Sequence, residues 1–169
     1  MKRIICFGFF IVIAFTSKVI AQDQSIFPLG EKAKNVNHTG DVWLRELHSA
    51  DGKINSQISV AVFAPNAKLN WHTHTAGQIL IITDGKGYYQ ERGKPVQIVK
   101  KGDVVKCLPD VEHWHGSTPT TGVTYVAVSP KSKTNWMDVV DDSGYQNIED
   151  SSKEKTSVET ELKTLSMQK

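Results

Sequence analysis

Between Gln57 and Ser129 the chain breaks into short runs of β-branched and aromatic residues, each closed by turn chemistry. "QISVAVF" stops before Pro65-Asn66, "LNWHTH" before Ala76-Gly77, "QILIIT" before Asp84-Gly85 and "GYYQE" before Arg92-Gly93-Lys94-Pro95. "VQIV" ends at Lys101-Gly102-Asp103 and "VVKCL" at Pro109-Asp110, and then come "EHWHG" and "VTYVAVS". Strand-like segments at this close spacing predict an all-β sandwich or barrel. Asp84-Gly85 reads as a tight hairpin turn, because such a turn needs a positive φ that glycine adopts freely.

The flanks differ in character. Residues 22–55 read as a polar arm followed by an edge strand, "DVWLREL", and a loop at "SADGKIN". The barrel spans residues 56–130. Within 131–148, Trp136, Val139 and Val140 stand at helical spacing and predict one short helix. Residues 149–169 are mostly Ser, Thr, Lys and Glu and predict a mobile tail.

Residues 1–21 have the grammar of a secretory signal peptide. Lys2 and Arg3 precede an apolar run, Ile4 to Phe15, that is short for a membrane span, and Val19 and Ala21 supply small residues before a cut. The expected location is therefore secreted or periplasmic, with no membrane contact after the leader is removed. The leader carries Lys2, Arg3 and Lys18 and no acid, so the formal charge of +2 becomes −1 without it. A near-neutral chain lacking a basic cluster is not expected to bind nucleic acid. Cys6 leaves with the leader, and Cys107, alone in the remainder, is expected in the core.

Four of the six histidines fall into two pairs, His72 with His74 and His113 with His115. Side chains alternate faces along a strand, so each i, i+2 pair points one way, while Trp71, Thr73 and Trp114 point the other. In a barrel, one arrangement aims all four imidazoles at the interior. Gln78, opening the next strand, can face the same interior, with Leu80 and Ile82 lining the same wall more deeply. Buried imidazoles without partners leave costly unsatisfied nitrogens, and a metal ion removes that cost. Imidazole suits zinc, copper, iron, nickel and manganese. His38 and His48 read as exposed, Asp103 as a turn residue and Glu112 as outward-facing.

The spacing His-x-His-x3-Gln-x6-Gly at 72, 74, 78 and 85 resembles the first motif of the cupin superfamily, with Gln78 in place of its usual glutamate. Gly102 through Pro109 to His113 resembles the second motif, with Val111 in place of its glycine. From Ser56 to Tyr145, "WHTH", the glutamine and "HWHG" together look like small bacterial cupins. That group includes the manganese-dependent cupin hydroxynitrile lyases and the carboxymuconolactone-decarboxylase-associated cupins. The resemblance implies a double-stranded β-helix, a jelly-roll barrel with an N-terminal extended arm and a short C-terminal helix. It implies metal ligation by His72, His74, Gln78 and His113, with His115 beside the metal facing substrate. Manganese is the implied divalent ion. Ligand chemistry alone leaves nickel, zinc, iron and copper open.

In those lyases a histidine ten positions beyond the counterpart of His115 serves as a base, and here Tyr125 stands there. A phenol with an ordinary pKa near ~10 is a poor base at neutral pH, so the resemblance does not carry cyanohydrin cleavage to this chain. Tyr125 is expected either to hydrogen-bond a ligand or to pack. A neutral Gln78 amide leaves a dication's charge uncompensated, which strengthens its pull on water or an anionic ligand. The expected function is that of a secreted metal-dependent enzyme of lyase or isomerase type on a small oxygen-bearing molecule. The alternatives are a non-catalytic metal-dependent binding module and a dioxygenase-type cupin. Surplus outward aromatics, Trp43, Trp71, Trp114 and Trp136, favour a homodimer that buries them.

Overall fold

The computed structural model describes residues 26–34, 36–146 and 148. The leader-like segment 1–21 and the polar tail 149–169 lie outside the described residues. Twelve strands occur in chain order: β1 (Glu31–Lys32), β2 (His38–Thr39), β3 (Val42–His48), β4 (Ser56–Phe63), β5 (Lys68–Leu69), β6 (His72–His74), β7 (Gln78–Glu91), β8 (Gln97–Lys100), β9 (Val104–Cys107), β10 (His113–Ser117), β11 (Val123–Pro130) and β12 (Thr134–Trp136). One short helix, α1 (Asp142–Gln146), follows. Every ladder is antiparallel, as the dense turn signals require. No helix among the described residues is long and apolar enough to cross a membrane.

The Asp84-Gly85 reading needs correction, because β7 runs straight through it. Residues 79–85 pair with β11, and residues 87–91 then pair with β10. Gly85 has φ 73°, and a Cβ there would sit 2.1 Å from the Gly122 carbonyl oxygen. The positive φ foreseen for a turn instead bends one long strand so that it leaves one sheet and enters the other. One sheet thus runs β1-β3-β4-β11-β7-β9, and the other gathers β8, β10, β5, β2, β6 and β12 around the second half of β7.

Between the sheets lies a core that follows strict alternation. On β11, Val123, Tyr125 and Ala127 are buried while their neighbours are half-exposed. Leu80 and Ile82 pack against them from β7, and Phe63, Val105 and Cys107 complete the cluster. Each such fully buried aliphatic side chain contributes about 1.5–3 kcal/mol by leaving water. Cys107 is buried and unpaired as expected, and burial pushes its thiol pKa up to about 12.

The C-terminal segment differs from the helical reading. Thr134–Trp136 is a strand, pairing with His72 to His74, and the helix begins only at Asp142. The three-residue β6 would otherwise leave a backbone edge unpaired beside the barrel mouth, and β12 satisfies it. Val140 and Tyr145 then cover Trp71, Tyr88 and Trp114 in a second apolar cluster outside the barrel. So Trp71 and Trp114 do face outward, but the chain's own C-terminal segment buries them. Lys68, 1% exposed, anchors the cover through an ion pair with Asp142 at 2.5 Å and a seat 4.2 Å from the Tyr145 ring.

The arm is more ordered than a polar extension suggests. β1 pairs with β3 and β2 with β5, so the arm is tied to the barrel at both Glu31–Lys32 and His38–Thr39. His38, expected exposed, is half-buried, with ring nitrogens 3.1 Å from the Gly40 oxygen and 2.9 Å from the Lys34 oxygen. His48 is half-buried too.

Candidate metal centre

β6 lies antiparallel to β10 with His72 opposite His113, which brings the two i, i+2 pairs side by side. All four imidazoles are buried. Ring centroids stand 4.3 Å apart for His72 and His113, 5.0 Å for His72 and His74, and 5.4 Å for His74 and His113. The ligating nitrogens of His72, His74 and His113 all lie within 4.8 Å of one another. His115, 5.9 Å from His113 by ring centroid, stands beside that trio rather than in it.

Hydrogen bonds set the orientation of each ring. His72 Nδ1 lies 2.8 Å from the Asn70 oxygen and His113 Nδ1 2.9 Å from the Val111 oxygen. A carbonyl can only accept, so both Nδ1 atoms donate and both Nε2 atoms carry a lone pair. Val111, the departure from the second motif, still provides its backbone oxygen. His74 Nδ1 bonds the Thr134 hydroxyl at 3.1 Å, a partner brought in by β12. At the mouth, Gly77 (φ 73°) turns the chain from β6 into β7 and places Gln78 at the start of the strand.

The remaining polar atoms test whether a cation fits. The Nε2 atoms of His74, His113 and His115 and the Gln78 Oε1 are buried without any hydrogen-bond partner. Such orphans are rare in folded proteins, and several together in one place call for a common partner. A divalent ion accepting lone pairs from the His74 and His113 Nε2 atoms and the Gln78 oxygen answers that need, so the donor set fits a metal. Electrostatics agree. Burial, then the neighbouring His113, pushes the His72 pKa down to about 3, and the same causes push His74 down to about 4 against a smaller lift from Gln78. Burial lowers His113 as well. The cluster is therefore neutral at physiological pH, the form that ligates metals.

Beyond the histidines opens a cavity of about 470 Å³. Its apolar wall includes Val42, Ala61, Phe63, Leu69 and Trp136, and Lys34, Val36 and His38 of the arm close one side. His115 and Tyr125 face it together, joined by a 2.6 Å contact between Nδ1 and the hydroxyl. Tyr125 also packs 5.2 Å from Phe63 by ring centroid. Leu80 and Ile82 sit in the core beneath rather than in the cavity wall. The arm and β12 were missed as parts of the site. Two-residue strands leave no periodicity to read, although Trp136 beside a histidine barrel was a signal.

A jelly-roll barrel with three inward imidazoles at its open end defines a class of protein whose site could hold a metal ion. A Cupin domain model matches residues 59–129. The chain is 37% identical over 111 residues to the (R)-mandelonitrile lyase of Granulicella tundricola, spanning 64% of this chain and 85% of that one. It therefore belongs to the cupin family. A crystal structure of a cupin-like protein from Thermotoga maritima superposes with a TM-score of 0.71 at 40% identity, covering 74% of this chain and 97% of that chain. A cupin-2 domain protein from Rhodospirillum rubrum shares the fold at 16% identity and a TM-score of 0.57, over 69% and 80% of the two chains.

Proposed function

We propose that the protein is a metal-dependent enzyme, of lyase or isomerase type, acting on a small oxygen-bearing organic substrate. His72, His74, His113 and Gln78 hold a divalent ion, manganese first among the candidates. The observation carrying this reading is the clustering of the His72, His74 and His113 ligand atoms within 4.8 Å of one another, with the Nε2 atoms of His74 and His113 and the Gln78 Oε1 buried without a hydrogen-bond partner. When bound, such an ion supplies a Lewis acid for polarising a substrate oxygen. The chain's own residues do the rest. The apolar wall excludes water and seats the substrate body, and His115 presents Nε2 to the reacting end for proton transfer. Tyr125 holds the His115 ring through Nδ1 and is no base itself, since burial raises its pKa well above the ordinary phenol value. The mandelonitrile lyase relative supports the lyase class, and Tyr125 argues against a copied mechanism.

A second reading has its own support. Among the described residues lining the cavity there is no carboxylate to serve as a base, which favours ligand capture without turnover. Elemental analysis of protein never exposed to a metal-chelating resin, beside the double variant His72→Ala, His74→Ala, tests the metal. Stoichiometric metal in the parent and none in the variant is expected, and equal content overturns the reading. Turnover in a screen of carbonyl and hydroxy compounds then separates enzyme from binding module.

Export and dimerisation complete the proposal. Export rests on residues 1–21. The dimer rests on an outward sheet face where Ile79, Ile81 and Val104 are 42%, 39% and 58% exposed, rather than on Trp71 and Trp114, which the chain covers itself. Light scattering should give twice the chain mass, and Ile81→Asp should halve it.

A further inference from the structure

The lining of the cavity is one-sided in charge. Among its described residues are the imidazoles of His38, His72, His74 and His115, the Gln78 and Asn37 amides, three hydroxyl residues and Lys34, but no Asp or Glu. In a site of this composition a dication meets only neutral ligands, and the single charged lining residue repeats its sign. Uncompensated charge in a low-dielectric cavity is costly, and an anionic ligand removes the cost.

His115 adds direction. Among the described residues the Tyr125 hydroxyl has one hydrogen-bond partner, His115 Nδ1 at 2.6 Å, and the hydroxyl is buried. A buried hydroxyl proton without an acceptor is expensive, so Tyr125 donates and Nδ1 accepts. A neutral imidazole that accepts at Nδ1 carries its proton at Nε2. That Nε2 is buried, lines the cavity and has no partner. His115 thus offers an N–H to whatever lies beside the three-histidine cluster, and an oxygen anion is its best acceptor.

Size and polarity of the other walls set the remainder of the ligand. A volume of about 470 Å³ exceeds what a two-carbon acid fills, and the wall of Phe63, Leu69, Val42 and Trp136 is apolar, with the Trp136 ring 4.8 Å from that of His72 by centroid.

Resting on the metal-holding reading above, we propose that the cavity takes a small carboxylate with a ring-sized apolar body. The carboxylate lies between the histidine cluster and His115 Nε2, and the body lies against Phe63, Leu69 and Trp136. Lys34, on the arm, adds long-range attraction for the anion at the entrance.

The test is calorimetric titration of the manganese-loaded full chain, its metal content measured first, with benzoate and mandelate against the uncharged benzamide and benzyl alcohol. The carboxylates should bind at least about tenfold more tightly than the neutral compounds. Lys34→Gln should weaken the carboxylates several-fold and leave benzamide unchanged. Equal or tighter binding of the neutral compounds to metal-loaded protein overturns this proposal and leaves the metal reading standing, as does absence of binding by all four. A chain that takes up no metal overturns both.

Discussion

His115 Nδ1 lies 2.6 Å from the Tyr125 hydroxyl, and both side chains are buried at the inner end of the cavity. The pair joins β10 to β11 across the barrel, so it is both a structural tie and the device that orients the one imidazole of the two His-x-His pairs left outside the proposed ligand set. Tyr125→Phe removes one hydroxyl and leaves Nδ1 unsatisfied, at a cost of about 1–3 kcal/mol. Urea denaturation reads that loss. Nitrogen chemical shifts should also show the His115 proton at Nε2 in the parent, and a parent spectrum with it at Nδ1 would refute the assignment.

Acid should destabilise the metal-free protein early. The folded pKa values of His72 and His74 are lowered to about 3 and about 4 by burial, while an unfolded histidine titrates near ~6.5. Between those limits the unfolded chain binds more protons, so stability rises with pH. The full contribution is present above the unfolded value and drains away as pH falls through the folded ones. The urea midpoint of metal-free protein should drop steadily from pH 7 to pH 4. A flat profile over that range contradicts the buried neutral cluster.

Replacing the amide with an acid should act on both metal and ligand. Gln78→Glu places a carboxylate among three neutral imidazoles, so manganese affinity should rise, by about tenfold or more. The preference for benzoate over benzamide should shrink in the same variant. An unchanged manganese affinity would mean that residue 78 does not touch the metal.

Gly85→Ala should be costly although the residue is in a strand and remote from the histidines. The left-handed φ of 73° and the 2.1 Å approach to the Gly122 oxygen both oppose a Cβ. A loss of more than about 1 kcal/mol is expected, accompanied by weaker metal retention because the bend sets how the two sheets meet. Thermal unfolding with and without manganese measures both.

The C-terminal cover offers an asymmetric pair of substitutions. Asp142→Ala leaves the buried Lys68 ammonium with only the Tyr145 ring, whereas Lys68→Met removes the charge from its apolar site altogether. Asp142→Ala should therefore destabilise more. The difference should be on the order of 1 kcal/mol, because Asp142 is largely exposed and its ion pair is screened. Equal effects would mean that the ammonium reaches water.

Strand alternation made much of the site legible. Two His-x-His pairs on strands can only present four rings in two parallel ranks, and both ranks do face inward with Trp71 and Trp114 behind them. What alternation cannot express is where a strand goes next. Asp84-Gly85 carries the chemistry of a turn and of a bend alike, and only the pairing of residues beyond it with β10 decides between them. Trp136 to Val140 has a helical spacing, but an unpaired β6 edge outbids a short amphipathic pattern. The arm was opaque because its two strands are two residues each and draw their order from β3 and β5.

That arm lies upstream of residues 59–129, the span matched by the family model, yet it closes one side of the cavity. The barrel holds the histidines, and a strap encoded separately decides what reaches them. Substitutions in residues 33–38 can therefore retune ligand choice while the histidine cluster and the core keep their packing. A library confined to that hexapeptide is a compact route to new selectivity on an unchanged scaffold.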